Sequence, residues 1–367
     1  MRSRIWKATK FALLGLVALA FTLVGSGFAY RAYRQHRNAN TFAIQSARGI
    51  ADGRFVTIGG IHQWIQIRGE DTGNPVLLIL HGGPGASYVP ATSLFLHWEK
   101  FFTVVQWDQR GTGRTFGRNR ADGSGEMTVD RMVRDGIEVL EYLRQRLQQG
   151  KIILYGTSWG TILGTAIAQR RPDLLSAYVG SGQVVDMARN EAIGYDTLLR
   201  TVRQARDDKA IAALTAIGPP PYKDLTALGI QRDWQYRYVS PEEKNFQKSL
   251  LWGVVFAPDY SVKDILDYGA GSTFSIKALF KDMMATDLRS LGTNFQVPII
   301  VIQGADDTLT PTSLVKEYYA SIVAPRKELV VIPHAGHLVF LAMPDRMLAE
   351  FIAHVRPLAL HAPTRAH

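Results

Sequence analysis

The sequence predicts an α/β fold: a mostly parallel sheet with helices on both faces, an inserted helical cap, and an apolar helix at the N-terminus. Short continuous apolar runs alternate with stretches of helical spacing, the pattern of strands covered on both sides. The runs stop after residue 180 and resume at 297, a gap far longer than the roughly dozen residues of a single crossover. Residues 11–30 contain no charged side chain.

At ~1.5 Å per residue, a helix over 11–30 matches the ~30 Å hydrocarbon of a bilayer. The stretch has no polar face, which argues against a buried soluble helix. It reads as an uncleaved signal-anchor, because the apolar run is long and RAYRQHR follows it directly. A cleaved signal peptide, cut near Gly27 and Ala29, is the alternative, and the protein would then be secreted. Arg2, Arg4, Lys7, Lys10 and the terminal amine slightly outweigh Arg31, Arg34 and Arg37. That balance places the N-terminus inside and exports the large domain to the periplasm or cell exterior.

Alternation at 55–58 and 63–67 around Gly59-Gly60 predicts an antiparallel hairpin. Strands follow at 76–80 and 102–107, then a helix at 127–147 and a strand at 151–155. A helix at 162–169, ended by Pro172, leads to a strand at 175–180. Helical patterns at 187–205, 209–217, 241–251 and 275–287 fill the gap, broken at 218–221 and at Gly269 to Gly271. Strands at 297–302 and 328–332 and a helix at 343–355 close the chain. The expected division is 1–40 for the anchor or signal, 41–182 and 297–367 for the two parts of the core, and 183–296 for the cap.

Apolar residues make up 46% and charged residues 20% of the 367, the composition of a globular protein rather than a disordered one. The chain has no cysteine, which excludes disulfides, thiolate metal sites and cysteine nucleophiles. Part of the net charge of +10 flanks the apolar segment, and no basic run is interleaved with aromatics, so nucleic acid is not an expected partner. Neither a phosphate loop, a dinucleotide fingerprint nor a metal-ligand cluster is present, and no cofactor is expected. The expected partners are a small-molecule or short-peptide substrate and, through 11–30, a membrane.

The strand at 151–155 runs into Gly156-Thr157-Ser158-Trp159-Gly160 and then a helix, the strand–turn–helix setting that gives G-x-S-x-G its meaning. Glycines on both sides allow a tight backbone around a strained serine, so Ser158 is the candidate nucleophile. A serine hydroxyl needs a base. His337 follows the last strand and is chosen over its neighbour His334; His62, His81, His36, His354, His361 and His367 are less apt by position. The base needs an acid, and Asp306 or Asp307 follows the strand at 297–302. The order serine, aspartate, histidine is that of an α/β-hydrolase. For the developing oxyanion, the N–H of Trp159 and an N–H from the loop His81-Gly82-Gly83-Pro84-Gly85 are expected, Gly83 before Gly82.

HGGPG at 81–85, WDQRGTGRT at 107–115 and GTSWGT at 156–161 together resemble the proline iminopeptidase (prolyl aminopeptidase) branch of the α/β-hydrolases. The G-x-x-D ending at Asp307 and the Gly336-His337 pair match as well, and the resemblance therefore favours Asp307 over Asp306. It implies a nucleophile at Ser158, an acid at Asp307, a base at His337, an oxyanion loop at 81–85, and bracing roles for Asp108 and Arg110. It also implies cap carboxylates that hold a substrate's free amino end. The cap lacks the tryptophan- and glutamate-rich segment of that branch, leaving Glu191, Asp196, Glu242 and Glu243 as candidates, Glu191 foremost. The implied activity is release of N-terminal proline or a similar small residue from short peptides. A carboxylesterase using the same triad is the alternative, and a non-catalytic binding protein on this scaffold is a third reading. Epoxide hydrolases and dehalogenases place aspartate where this chain has Ser158.

Overall fold

In the computed structural model, which describes residues 2–360, eight strands form one sheet in the order β1-β2-β4-β3-β5-β6-β7-β8. They are β1 (Ile50–Ile58), β2 (Ile61–Gly69), β3 (Val76–Leu80), β4 (Thr103–Trp107), β5 (Ile152–Thr157), β6 (Leu175–Ser181), β7 (Ile299–Gly304) and β8 (Lys327–Ile332). β2 runs antiparallel to β1 and β4, and every other neighbouring pair is parallel. The expected hairpin is present, with both strands longer than the alternation indicated. His361 and His367, with the rest of residues 361–367, lie outside the described residues.

Each central strand is apolar on both sides because each side has a core. On β5, Ile152 and Leu154 pack into one cluster with Ile162, Leu163 and Ile167, while Ile153 and Tyr155 pack into the other with Phe340 and Phe351.

An apolar helix, α1 (Arg2–Thr41), precedes the sheet. From Thr9 onward it is long and apolar enough to cross a membrane, and its apolar side chains are exposed. α2 (Gly113–Asn119), α3 (Val129–Leu147) and α4 (Trp159–Arg170) belong to the first half of the core. Thr128 caps α3 by accepting from the Arg131 N–H. Five helices lie between β6 and β7: α5 (Met187–Gln204), α6 (Asp208–Ile217), α7 (Leu225–Arg237), α8 (Pro241–Phe256) and α9 (Val262–Met284). The first half of α9 and the whole of α7 carried no expected element. Asp224 caps α7 and a Ser261/Asp264 capping box starts α9.

Gly269 to Gly271 was expected to break a helix, but both glycines lie inside α9. For Gly271 the reason is packing, since a Cβ there would come within 2.9 Å of the Gly111 carbonyl and of Phe116; a Cβ on Gly269 would meet nothing within 4 Å. After β7 comes α10 (Thr312–Ser321). The single closing helix expected at 343–355 is instead α11 (Val339–Ala342), α12 (Pro344–Glu350), a π-turn at Phe351–Val355, and α13 (Arg356–Leu360). Pro344 has no N–H to continue α11 and takes the first position of α12.

The parallel strands end on one side, where the loops after β3, β4, β5, β6, β7 and β8 gather. β3 is the point where strand order reverses, the place such sheets bind ligands. The loop after β4 is held from below. Arg110 Nε donates to Asp135 at 2.8 Å and Nη2 to the Gly59 carbonyl at 2.8 Å, with both Arg110 and Asp135 buried. Asp135→Ala leaves this guanidinium buried without its counter-charge, and the expected loss is about 3–5 kcal/mol. A lower urea midpoint at unchanged m-value would register it.

Candidate active site

β5 and α4 meet at Ser158, whose backbone adopts φ 51°, ψ −120°, a conformation costly for a residue with a Cβ. The turn closes because its flanking positions carry no side chain. A Cβ on Gly160 would lie 2.0 Å from the Leu80 carbonyl, and one on Gly156 would lie 2.6 Å from the Gly160 carbonyl. The Ser158 N–H donates to Ser181 O at 2.9 Å, which ties the turn to β6.

His337 arrives from the loop after β8. Its Nε2 lies 2.9 Å from Ser158 Oγ and its Nδ1 lies 2.9 Å from Asp307 Oδ2. A carboxylate can only accept, so Nδ1 carries the proton and Nε2 is left to accept from the serine hydroxyl. Asp307 also accepts from the N–H groups of Leu309 and Thr310, both at 2.9 Å, and from Gln303 Nε2 at 2.8 Å. Burial pushes the Asp307 carboxyl up, but His337 and Thr310 more than offset this and hold it below the usual carboxylate range. Asp306 and His334, the neighbours weighed against these two, are exposed. His81 is buried and pushed down to about 4 by desolvation, so it is neutral near pH ~7.

Gly82 and Gly83 line the same cavity as Ser158. The Gly82 N–H faces the Tyr88 hydroxyl at 3.4 Å, whereas the Gly83 N–H has no protein partner among the described residues. Trp159 is the first residue of α4, where an N–H has no carbonyl one turn back in the helix. Its indole donates to Gln109 Oε1 at 3.0 Å, and Gln109 Nε2 donates to the His81 carbonyl at 3.4 Å. Gln109 thus joins the loops after β3 and β5, a role that sequence reasoning did not assign. Asp108 accepts from the Ser87 hydroxyl and from the Arg114 N–H, the latter at 2.7 Å. Burial nevertheless pushes Asp108 up to about 6. Neither Asp108 nor Arg110 lines the cavity.

The cavity measures about 670 Å³ and is closed over by α5, α7, α8 and α9. Glu191 does not line it. That carboxylate is buried in an ion pair with Arg232 and accepts from Gln231 at 3.1 Å, so a partner from its own fold occupies it. Asp196 and Glu242 are exposed and also lie off the cavity wall. Two residues that sequence reasoning passed over do line it. Asp233 on α7 forms no ion pair among the described residues. Asn190 is 1% exposed, and both polar atoms of its side chain lack a hydrogen-bond partner. A buried amide left open on a cavity wall is the available cue, and it exists only in three dimensions.

Residues 75–344 match the family described as alpha/beta hydrolase fold, and the chain belongs to that family. Within it, the chain is a proline iminopeptidase-like hydrolase. It is 29% identical over 320 residues to the probable aminopeptidase YbaC of Bacillus subtilis (strain 168), covering 85% of this chain and 99% of the relative. To the proline iminopeptidase of Neisseria gonorrhoeae it is 26% identical over 306 residues, covering 78% and 90%. The solved structure of a proline iminopeptidase from Mycobacterium smegmatis shares the fold at TM-score 0.57 and 19% identity, over 85% of this chain and all of that one (100%). A membrane phospholipase A structure shares the fold at TM-score 0.60 and 18% identity, over 96% of this chain and 100% of its own.

Glu243, at the start of α8, accepts from the Leu338 N–H at 2.6 Å, next to His337. Burial raises its carboxyl above the usual range, the Leu338 bond and His337 opposing this only in part. A raised acid binds its proton more tightly folded than unfolded, so it favours the native state at low pH and costs stability as pH rises. Glu243→Gln keeps an acceptor for Leu338. Its Tm is expected to exceed that of the parent at about pH 8 and to approach it at about pH 4, as thermal melts at both values would show.

Proposed function

We propose that this protein is a membrane-anchored serine hydrolase that releases proline or a similar small N-terminal residue from short peptides. The observation that carries the reading is the unbroken relay from Ser158 Oγ through His337 to Asp307, each step 2.9 Å. Ser158 Oγ attacks the scissile carbonyl while His337 Nε2 takes its proton. The oxyanion that forms is met by the N–H groups of Trp159 and Gly83, each worth about 10²–10³ in kcat in comparable sites. His337 passes the proton to the leaving amine, and the acyl-enzyme remains. Water then attacks with His337 as base once more, which restores Ser158. Asp307 keeps the imidazole in the productive tautomer and balances its charge.

The names of the relatives support an aminopeptidase, and Asp233 on the cavity wall is an open carboxylate suited to a substrate ammonium. Asn190 offers a donor and an acceptor to the adjoining amide. A second reading, a carboxylesterase for small acyl esters, is favoured by a different observation. Ile162, Val184, Met187, Leu228, Ile276 and Met283 give the cavity a largely apolar wall, and Glu191 is already neutralised by Arg232. In either case α1 serves as the anchor and the catalytic domain is exported.

Prolyl naphthylamide assayed beside nitrophenyl acetate and butyrate separates the two. Turnover of esters with none of any aminoacyl amide would end the peptidase reading. Ser158→Ala is expected to lose fluorophosphonate labelling and at least about 10⁴-fold in kcat. Asp233→Asn is expected to raise KM for aminoacyl amides about tenfold, with kcat and ester turnover little changed.

A further inference from the structure

The C-terminal half of α8 is bound to the N-terminal helix. Arg31 Nε donates to Val255 O at 3.0 Å, Gln35 Nε2 to Ala257 O at 2.7 Å, and Asn38 Nδ2 to Phe256 O at 3.0 Å. These are carbonyls of the last turn of α8 and its cap, which no N–H farther along the helix can reach. Tyr30, the last residue of the uncharged stretch, packs edge-on against Phe256 at 5.7 Å. The end of α8 therefore stands at the level where α1 would leave the hydrocarbon of a bilayer.

At that level α8 turns its apolar side chains outward. Leu251 is 61% and Trp252 56% exposed, and Trp252 stacks on Phe256 at 5.5 Å. Between this edge and α1 runs a groove of about 440 Å³, lined by Tyr30, Arg34, Phe42, Ser249, Trp252 and Phe256. Arg34 lies over the Phe256 ring at 4.8 Å and donates from Nη1 to the Tyr30 hydroxyl at 2.9 Å, but it pairs with no carboxylate among the described residues and leaves its Nε buried without a partner. Aromatic rings, a leucine and a guanidinium without a carboxylate partner at one depth are the composition of a protein surface set among lipid headgroups.

We infer that the Leu251–Trp252 edge of α8 and the adjoining groove are seated in the lipid–water interface, with Arg34 facing headgroup phosphates. The cap is then a membrane-contacting element and not only a lid, since Leu250, the residue before this edge, lines the catalytic cavity. The inference rests on α1 being a membrane anchor.

The absence of cysteine makes a unique label simple to place. An environment-sensitive fluorophore is attached to Leu251→Cys, Leu19→Cys or Leu291→Cys in the full chain, held in phospholipid nanodiscs. Leu291 is an exposed apolar control that packs near α4, on the other face of the sheet. The Leu251 label is expected to be blue-shifted and quenched by lipids carrying a headgroup nitroxide, and the Leu291 label neither. The Leu19 label is expected to be quenched by lipids carrying the nitroxide midway along the acyl chain. Quenching at Leu19 together with a Leu251 label that behaves like Leu291 overturns the seating and leaves the anchor standing. Absence of quenching at Leu19 removes the anchor reading itself. Disulfide-linked dimers of unlabelled Leu251→Cys under air oxidation, together with no headgroup quenching of the labelled variant, assign this edge to a second copy and also overturn the proposal. Retained fluorophosphonate labelling shows that each variant is folded.

Discussion

A serine can stand at φ 51° between a strand and a helix only where neighbouring backbone comes closer than any side chain would allow. The close approach of Gly160 to the Leu80 carbonyl is that condition here. It sets α4 directly against the end of β3, and so places the Gly82-Gly83 loop beside Ser158. The other parts of the site are arranged around this contact. Gln109 bridges the two loops, the Arg110–Asp135 pair holds the loop after β4, and β7 and β8 deliver Asp307 and His337 from the opposite side. Little of the site is local in sequence, and all of it depends on the sheet register.

The core strands were legible because strands buried on both faces leave uninterrupted apolar runs, and the loops that meet around Ser158 were legible because glycine must occupy particular positions. The helices of the inserted segment were only half legible. α7 lacks a sustained apolar period, and Gly229 lies within it. In α9, Gly271 lies within the helix because it must pass close to Gly111, whereas no packing contact explains Gly269. Local propensity pointed one way and a tertiary contact decided the other. The same limit applies to the cavity wall. Glu191 had the right chemistry, but whether a buried carboxylate faces a substrate or an arginine depends on helices distant in sequence, and Arg232 is the partner it finds.

α8 links the two functional parts of the molecule. In its first turn, Glu243 receives the N–H of the residue after His337, and farther along Leu250 faces the cavity. At its C-terminal end, Arg31, Gln35 and Asn38 of α1 take up its last carbonyls. Charge and dipole agree in this arrangement, because a guanidinium at a helix C-terminus meets the negative end.

Those three side chains change where a form of this protein without its apolar stretch should begin. Trimming to the edge of the hydrolase core, near residue 40, would strip the cap from the last turn of α8 and uncover Phe256. A chain that begins just before Arg31 sheds the bilayer-length stretch and keeps every one of these donors. The residues from Arg31 to Asn38 are therefore part of the folded enzyme, and the boundary between the uncharged apolar stretch and the hydrolase falls inside a continuous helix.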